Sequence, residues 1–358
     1  HYNTPDDMIH CALWFDYLRT LKDRPFWNTE TQTTWNGSVV ALQSIKPDGF
    51  CRMNSWLPIA LGGEANLYWL WRTHWAGHEL IHGAVLDNSG KPMYPYDEVR
   101  QTAEEFRKAA DFINGTKVST PVAFHMTSRS WNLFETQPIV KGFNYMETVV
   151  GAFYQPINDS GLRPDVIDTA QELSSYRLVF SPLVMTLEED GLPERLRRWV
   201  EDGGVWVVGP LTDIRTQIGA KYIDRHYGML ERLTGVSWLY GVPDTQGMLR
   251  SQWSDGAPFS GDQWYDLYDE ADAPVKDVAG HRAVKGKAVV VKKRVGKGCV
   301  ILLGTVPDRD SFRRIVADAC REAGVAPFRM EGSLIVSPRR GKSGNGLILT
   351  EYNGGEAF

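Results

Sequence analysis

Two short apolar-aromatic runs near the start of the chain read PFWNT at residues 25–29 and ANLYWLW at residues 65–71. Both are rich in strand-forming residues, and turn residues bound them, so each predicts a β-strand. Apolar residues at helical spacing predict a helix before, between and after these strands. The three helices cover residues 6–22, 51–61 and 96–112. This order fits the last quarter of a (β/α)8 barrel, and because two strands make no stable sheet alone, we expect residues 1–115 to pack on further partners.

The pattern changes after Gly115, where short apolar strands alternate with helices as far as residue 327. Alternation of this kind predicts an α/β domain with a doubly wound parallel sheet, flavodoxin-like or amidotransferase-like. Its buried strands are expected at residues 121–125, 179–181, 205–209 and 300–303. Residues 244–287 are rich in Asp, Gly and Trp and indicate a loop-rich β insertion. Residues 328–358 predict the start of a small antiparallel β domain.

Bulk properties exclude several classes of function. The 358 residues suit two or three domains, and a net charge of −5 gives no basic surface for nucleic acid or an anionic membrane. No run of about 18 apolar residues is present. The four cysteines are scattered without metal-ligand spacing, which predicts buried free thiols in a reducing compartment. We therefore expect a cytoplasmic protein with no metal, cofactor, nucleic-acid or membrane partner.

Glu30 follows the first predicted strand directly. Catalytic groups of (β/α)8 barrels stand at the carboxyl ends of strands. A carboxylate at such an end, beside exposed tryptophans, is typical of a sugar-cleaving site, where it would attack the anomeric carbon and form a glycosyl-enzyme. The alternative is an ordinary surface or helix-capping glutamate, which is what most glutamates are.

A second candidate group consists of Glu79 and His82, which lie three residues apart between Gly77 and Gly83. On one turn of a helix such residues share a face, so both side chains could bind adjacent hydroxyls of one sugar. A Glu-x-x-His pair can also be half of a di-metal site, but the second copy is absent from the sequence. A plain surface pair is the remaining alternative.

Aromatic residues surround both candidate groups. Four tryptophans lie in or next to these segments, namely Trp35, Trp69, Trp71 and Trp75. The apolar face of a sugar packs on an indole ring, although core packing is an equally ordinary role for any one of them. Strand alternation predicts Trp69 and Trp71 on the same face. Arg72 follows and could pair with Glu30 or Glu79, which would keep a nucleophile ionised.

The α/β domain shows no chemistry of its own. Gly296-Lys297-Gly298 lacks the spacing of a phosphate-binding loop and predicts a β-turn. An amidotransferase would need a cysteine in a tight turn after a strand, and the matching place at Phe180-Ser181-Pro182 has none. A catalytically silent domain between a barrel and a β domain favours a role in assembly.

The two segments around Glu30 and Glu79 resemble glycoside hydrolase family 42, the β-galactosidases. The similarity extends through residues 68–72 and 296–308 and covers nearly the whole chain from the seventh barrel strand onward. It implies a (β/α)8 catalytic domain, an α/β domain that forms a homotrimer and a small C-terminal β domain. By the resemblance, Glu30 is the nucleophile of a retaining enzyme that removes terminal β-D-galactose, and Glu79 and His82 bind that galactose.

The resemblance also implies that part of the active site comes from sequence upstream of this chain. The acid/base carboxylate of the family precedes this segment, so we expect a β-galactosidase fragment that lacks the N-terminal portion of its barrel and is inactive alone. Four more residues are assigned to the β-galactoside site, namely Tyr2, Trp35, Trp71 and Arg72. The alternative from a different class is a non-catalytic carbohydrate-binding or trimeric assembly module.

Overall fold

The computed structural model describes residues 5–22, 24–37, 44–189, 191–278 and 281–354. Contacts between residues divide the chain into two compact units. Unit 1 combines His1–Thr120 with Arg329–Phe358, and unit 2 is Pro121–Phe328. Tyr2 lies outside the described residues. None of the helices in the described ranges has both the length and the apolar character needed to cross a membrane.

Unit 1 begins with the predicted alternation of helices and strands, which is confirmed. Its helices are α1 (Pro5–Leu21), α2 (Phe50–Ala60) and α3 (Tyr96–Gly115), and its first strands are β1 (Phe26–Gln32), β2 (Gly63–Trp69) and β3 (Thr116–Val118). Strands β1 and β2 run parallel with α2 between them, which is a βαβ unit. The predicted strand ends were wrong, because β1 runs on to Gln32 and β2 stops at Trp69.

The core of unit 1 forms between its helices and the inner face of this strand pair. Ile9 and Leu13 of α1 and Leu57 of α2 have no solvent exposure. Phe15 stacks on Phe26 with ring centroids 5.5 Å apart. The opposite face of the strand pair carries exposed residues. One face of β1 and β2 is therefore covered, and the other is open among the described residues.

Unit 2 is built on one large sheet with helices around it. The helices are α4 (Ser128–Thr136), α5 (Tyr145–Thr148), α6 (Gln155–Asp159), α7 (Leu192–Glu201), α8 (Leu230–Thr234) and α9 (Arg309–Ala323), with a π-helical stretch (Val149–Tyr154) between α5 and α6. The strands are β4 (Val122–His125), β5 (Asp165–Ile167), β6 (Leu178–Ser181), β7 (Val205–Val208), β8 (Ser237–Asp244), β9 (Ser251–Trp253), β10 (Pro258–Phe259), β11 (Gly261–Asp269), β12 (Val275–Asp277), β13 (Ala288–Val295), β14 (Gly298–Leu303) and β15 (Thr305–Pro307).

The parallel part of this sheet has the order β14-β7-β6-β4-β5. Every residue of β4, β6 and β7 is buried, as expected for parallel strands covered on both faces. Antiparallel strands extend the sheet beyond β14 through β13, β12, β9 and β10. The predicted β insertion at residues 244–287 therefore contributes strands of this extension and the long strand β11.

The chain returns to unit 1 at its end. Strands β16 (Leu334–Gly341) and β17 (Gly344–Glu351) form a hairpin, and β16 also pairs antiparallel with β3. We expected this segment to open a domain of its own, whereas the structure groups it with the first 120 residues. Arg339 of β16 is 4 % exposed and donates to the carbonyls of Ile59, Ala60, Ile113 and Thr116, where α2 and α3 end.

Candidate active site

Glu30 lies inside β1, two residues before the strand ends, and not just beyond it as predicted. The pairing of β1 with β2 shifts register between Asn28 and Thr31, so Glu30 belongs to a bulge. Bulges re-aim side chains and are frequent next to active sites. The Glu30 side chain is exposed and has no hydrogen bond or ion pair with any residue that the structure describes.

A polar network fixes the backbone beside Glu30. The Asn28 amide donates to Asn66 Oδ1 at 2.8 Å, and the Thr31 hydroxyl donates to the same oxygen at 2.5 Å. These three side chains join the two strands across the bulge. The hydrogen bonds of this network hold the two strands together and none of them reaches the Glu30 carboxylate, so Glu30 stays available to a ligand.

Glu79 and His82 belong to a tight turn, so the predicted helical turn was wrong. The His82 N–H donates to the Glu79 carbonyl at 2.9 Å. Glu79 Oε2 accepts from the Trp69 indole N–H at 3.3 Å and lies 3.4 Å from His74 Nε2. The Glu79 carboxylate is therefore held between an indole and an imidazole at the end of β2, and it remains half-exposed.

His82 is 2 % exposed, and its orientation is set by its neighbour Gly83. His82 Nδ1 lies 2.7 Å from the Gly83 carbonyl oxygen, which can only accept a hydrogen bond. The proton of the neutral ring is thus on Nδ1, and Nε2 is left as an acceptor. No side chain larger than glycine fits at position 83, because a Cβ there would lie 2.1 Å from Thr34 Oγ1.

The turn forms one wall of a pocket of about 540 Å³. Its lining residues are Trp35, Thr73, His74, Trp75, Leu80, Ile81, His82 and Asn88. Trp35 is anchored twice, because its indole N–H donates to the Ile81 carbonyl at 2.5 Å and its ring stacks on Tyr94 at 6.4 Å. The structure thus brings Trp35 and His82 together in one pocket, with Glu79 attached through His74.

The remaining predicted site residues behave differently. Trp71 lies beyond the end of β2 at Trp69, so strand alternation does not set its direction. It is 54 % exposed. The predicted pairing of Arg72 with Glu30 or Glu79 was wrong, because its guanidinium donates to the Asn88 carbonyl at 2.5 Å.

Sequence reasoning missed two contributors to this site. His74 was not singled out, although it lies five residues before Glu79 and follows the aromatic run. Asn66 was passed over because it reads as an ordinary polar position of a half-buried strand. An imidazole within reach of a carboxylate, and an asparagine inside a strand, are the signals that would have found them.

Ser181, at the place where an amidotransferase would need its cysteine, is buried and inaccessible to solvent. Ser181 Oγ accepts from the Trp206 indole at 2.7 Å and lies 2.7 Å from His125 Nδ1. Ser181 and His125 have 0 % and 1 % exposure, so no substrate reaches this pair. Leu183 occupies a left-handed turn after β6 with φ 55° and is also fully buried.

The described residues contain no group of three or more His, Cys, Asp or Glu side chains placed to hold a metal ion. The four cysteines are free and buried. Burial raises the pKa of the Cys51 thiol to about 12 and those of Cys299 and Cys320 to about 11, so these thiols are protonated at neutral pH.

A tryptophan-lined pocket with the Glu79 carboxylate held beside its His74 is an arrangement typical of the sugar-binding sites of glycoside hydrolases. A family model described as a β-galactosidase trimerisation domain matches residues 120–326, and one described as β-galactosidase matches residues 1–109. The chain therefore belongs to glycoside hydrolase family 42, the β-galactosidases.

The relatives of this chain are much longer than the chain itself. The β-galactosidase YesZ of Bacillus licheniformis is 27 % identical over 98 % of this chain and 53 % of its own length. The YesZ of Bacillus subtilis is also 27 % identical, over 97 % of this chain and 52 % of its own length. The crystal structure of a β-galactosidase from Bacillus circulans sp. alkalophilus shares the fold, with a TM-score of 0.86 at 22 % identity, covering 95 % of this chain and 51 % of that one. The chain spans about half the length of the curated relatives it matches.

Proposed function

We propose that this chain is the C-terminal portion of a retaining β-galactosidase in which Glu30 is the nucleophile. The observation that carries the proposal is the position of Glu30, exposed in a bulge near the carboxyl end of β1 and free of partners among the described residues. The βαβ unit that presents it would be the end of a (β/α)8 barrel. Upstream sequence would supply the other strands and the acid/base carboxylate.

The proposed reaction is a double displacement. The Glu30 carboxylate attacks C1 of a terminal β-galactoside while the upstream acid protonates the departing glycosidic oxygen. The covalent galactosyl-enzyme then reacts with water, which the same upstream residue deprotonates, and the configuration at C1 is retained. The open face of β1 and β2 is where that second carboxyl would lie, about 5–5.5 Å from Glu30 in retaining enzymes.

Galactose recognition is assigned to the turn after β2. The Glu79 carboxylate would accept hydrogen bonds from sugar hydroxyls, and His82 Nε2 is an acceptor because Nδ1 holds the proton. Trp35 offers an indole face in the same pocket. We keep Tyr2, Trp71 and Arg72 as further substrate-binding residues, with Arg72 acting through its contact to the Asn88 carbonyl and not as a partner of Glu30.

Unit 2 is proposed to assemble the enzyme. Its parallel strand order is that of a flavodoxin-like domain, its serine–histidine pair is sealed, and residues 120–326 match a trimerisation model. These three observations support an assembly role for unit 2 within a homotrimer.

The test joins the chain to the upstream sequence of its reading frame and measures hydrolysis of an aryl β-galactoside. The extended protein should be active, and Glu30→Gln should lower kcat at least about 10³-fold, which is about 4 kcal/mol of transition-state stabilisation. The chain alone should show negligible turnover, since general-acid catalysis contributes about 10²–10⁴-fold. Activity that survives Glu30→Gln would overturn the nucleophile assignment.

A Glu30→Ala variant distinguishes a nucleophile from a residue that only supports the site. Azide enters the space left by the missing carboxylate and attacks C1 from the same side, so the expected product is an α-galactosyl azide. A β-galactosyl azide would instead identify Glu30 as the acid/base residue. If the extended protein hydrolyses no galactoside, the non-catalytic binding or assembly module becomes the better description.

A further inference from the structure

The two most exposed large apolar side chains in the described part of unit 2 lie on one loop. Ile223 is 102 % exposed and Ile218 is 89 % exposed, and both lie between β7 and α8. Single apolar residues are common on protein surfaces and need no explanation. Two large ones that are almost fully exposed on a single loop are less ordinary, and exposed apolar side chains of this kind are what interaction sites present.

Hydrogen bonds join the two ends of this loop. The Gly228 N–H donates to the Asp213 carbonyl at 2.9 Å. The Asp213 carboxylate is 1 % exposed and accepts from the N–H groups of Met229 at 2.6 Å and Leu230 at 3.1 Å, where α8 begins. Residues 213–228 therefore form a closed Ω-loop, a type of loop that is often functional.

The first half of the loop holds Ile218 at a tight turn. The Thr216 N–H donates to the Ala220 carbonyl at 2.8 Å, and the Gly219 N–H donates back to the Thr216 carbonyl at 2.9 Å. Gly219 has φ 80°, which this turn requires. The Gln217 N–H donates to Glu188 Oε2 at 3.0 Å, so the neighbour of Ile218 is tied to the loop after β6.

The second half of the loop fixes Ile223 in the same way. The Tyr222 hydroxyl donates to the Arg215 carbonyl at 3.0 Å, and the Arg225 guanidinium lies 4.5 Å from the centroid of the Tyr222 ring. Arg225 also pairs with Asp224 at 2.8 Å. Ile223 thus projects from between two anchored residues, with charged groups next to it. An apolar centre with a charged rim is the usual composition of a protein interface.

We infer that the Ω-loop of residues 213–228 makes the contact between copies of this chain, with Ile218 and Ile223 entering an apolar recess on a second copy. The occupant is a second copy because the loop lies within residues 120–326, the segment that matches a trimerisation model. A loop that is already ordered loses little conformational entropy on docking. One loop on each copy meeting a different surface on the next is a heterologous contact, and three such contacts close a ring. The inference rests on the proposed trimeric assembly.

The first test is sedimentation velocity of the extended protein and of its double variant Ile218→Asp, Ile223→Asp. Two carboxylates at an apolar contact should raise the dissociation constant at least about tenfold and shift the protein from trimer toward monomer. Met248→Asp is the matched control, because Met248 is 65 % exposed in unit 2 but lies outside the loop. The control should remain trimeric.

The second test measures whether the loop is covered in the intact trimer, so it does not require the trimer to dissociate. Ile223→Cys and Met248→Cys are each labelled with a maleimide, and the unsubstituted protein gives the background rate. The four cysteines of the present chain are buried, so they add little to that background. In the trimer the thiol at position 223 should react at least about tenfold more slowly than the thiol at position 248. Adding Ile218→Asp should bring the two rates together.

The two tests distinguish the loop contact from trimeric assembly itself. A trimer that persists in the double variant, with equal labelling at positions 223 and 248, overturns the loop as the contact and leaves trimeric assembly intact. A wild-type protein that is monomeric at every concentration overturns both. Neither result bears on Glu30, because hydrolysis of the aryl galactoside tests that assignment separately.

Discussion

At the scale of single residues, Glu79 shows how the site is organised around side-chain hydrogen bonds. Its carboxylate accepts from the Trp69 indole and faces His74, and both contacts leave lone pairs for a ligand. A hydrogen bond from a sugar hydroxyl to a carboxylate contributes about 1.5–3 kcal/mol. We expect Glu79→Gln in the extended protein to lower kcat/KM for an aryl β-galactoside about 10- to 100-fold, measured by steady-state kinetics.

The chain offers a matched control for Glu79. Glu64 also accepts from an indole at 3.3 Å, that of Trp27, but it lies at the amino end of β2. Glu64→Gln should leave kcat/KM unchanged within about twofold, because barrel active sites lie at the carboxyl ends of strands. Equal losses in both variants would show that the effect comes from stability of the strand pair and not from substrate binding.

His125 gives unit 2 a defined response to pH. Burial, with the nearby Arg195 charge, lowers the pKa of its imidazole from 6.5 to about 4. Between pH 6.5 and pH 4 the His125 imidazole is protonated in the unfolded chain but stays neutral in the folded chain. The free energy of unfolding therefore falls as the pH drops through this range. The shift corresponds to about 3 kcal/mol over that window.

Burial raises the pKa of Asp213 to about 6, so the contribution of Asp213 to stability changes with pH in the opposite direction. The effect of His125 is therefore measured by comparing wild type with a His125 variant. We expect His125→Asn to lose less stability than wild type between pH 6.5 and pH 4, by about 3 kcal/mol in urea unfolding. His281→Asn, at an exposed position, should follow the wild-type curve. Parallel curves for wild type and His125→Asn would contradict the lowered pKa.

At the scale of elements, the sequence located most helices and strands because their periodicity is local. It misplaced the ends of β1 and β2, since a strand ends where its pairing ends, and pairing depends on a partner about forty residues away. The bulge at Glu30 has the same origin. The turn at Glu79 read as a helix because an i,i+3 spacing fits both a helical turn and a β-turn.

Arg339 is the element-scale residue that the sequence could not reveal. Its partners on α2 and α3 lie more than 200 positions away, so no local pattern marks it. The guanidinium also donates to Thr116 Oγ1 at 3.0 Å and satisfies carbonyls that the helix ends leave without partners. A buried arginine in a strand would otherwise read as a surface residue of the hairpin.

We expect Arg339→Met to destabilise unit 1 by about 3 kcal/mol or more, because it leaves several buried carbonyl groups unsatisfied. The measurement is the urea midpoint at constant m value, followed by tryptophan fluorescence. Arg340→Met is the control, since Arg340 is the exposed neighbour, and its effect should stay within about 0.5 kcal/mol. Equal midpoints for the two variants would refute the structural role of Arg339.

At the scale of the whole molecule, unit 2 is continuous in sequence whereas unit 1 is not. Unit 2 contains all the strands of its sheet between Pro121 and Phe328. Unit 1 needs the returning hairpin, whose residues Leu334, Ile335 and Val336 are at most 5 % exposed. The sequence predicted a change of pattern near residues 116 and 328 but not the return of the chain to unit 1, because the pairing of β16 with β3 is a long-range contact without a local signal.

Ending the chain after Phe328 should therefore unfold unit 1 and leave unit 2 folded. The truncation removes β16 and β17, which exposes β3 and deprives α2 and α3 of the Arg339 hydrogen bonds. Hydrogen–deuterium exchange should show amides of α1–α3 unprotected while β4, β6 and β7 keep the protection they have in the full chain. A control that ends at Tyr352 retains both strands and should match the full chain. If β6 and β7 lose their protection together with α1–α3, the two units fold as one cooperative body and the division is wrong.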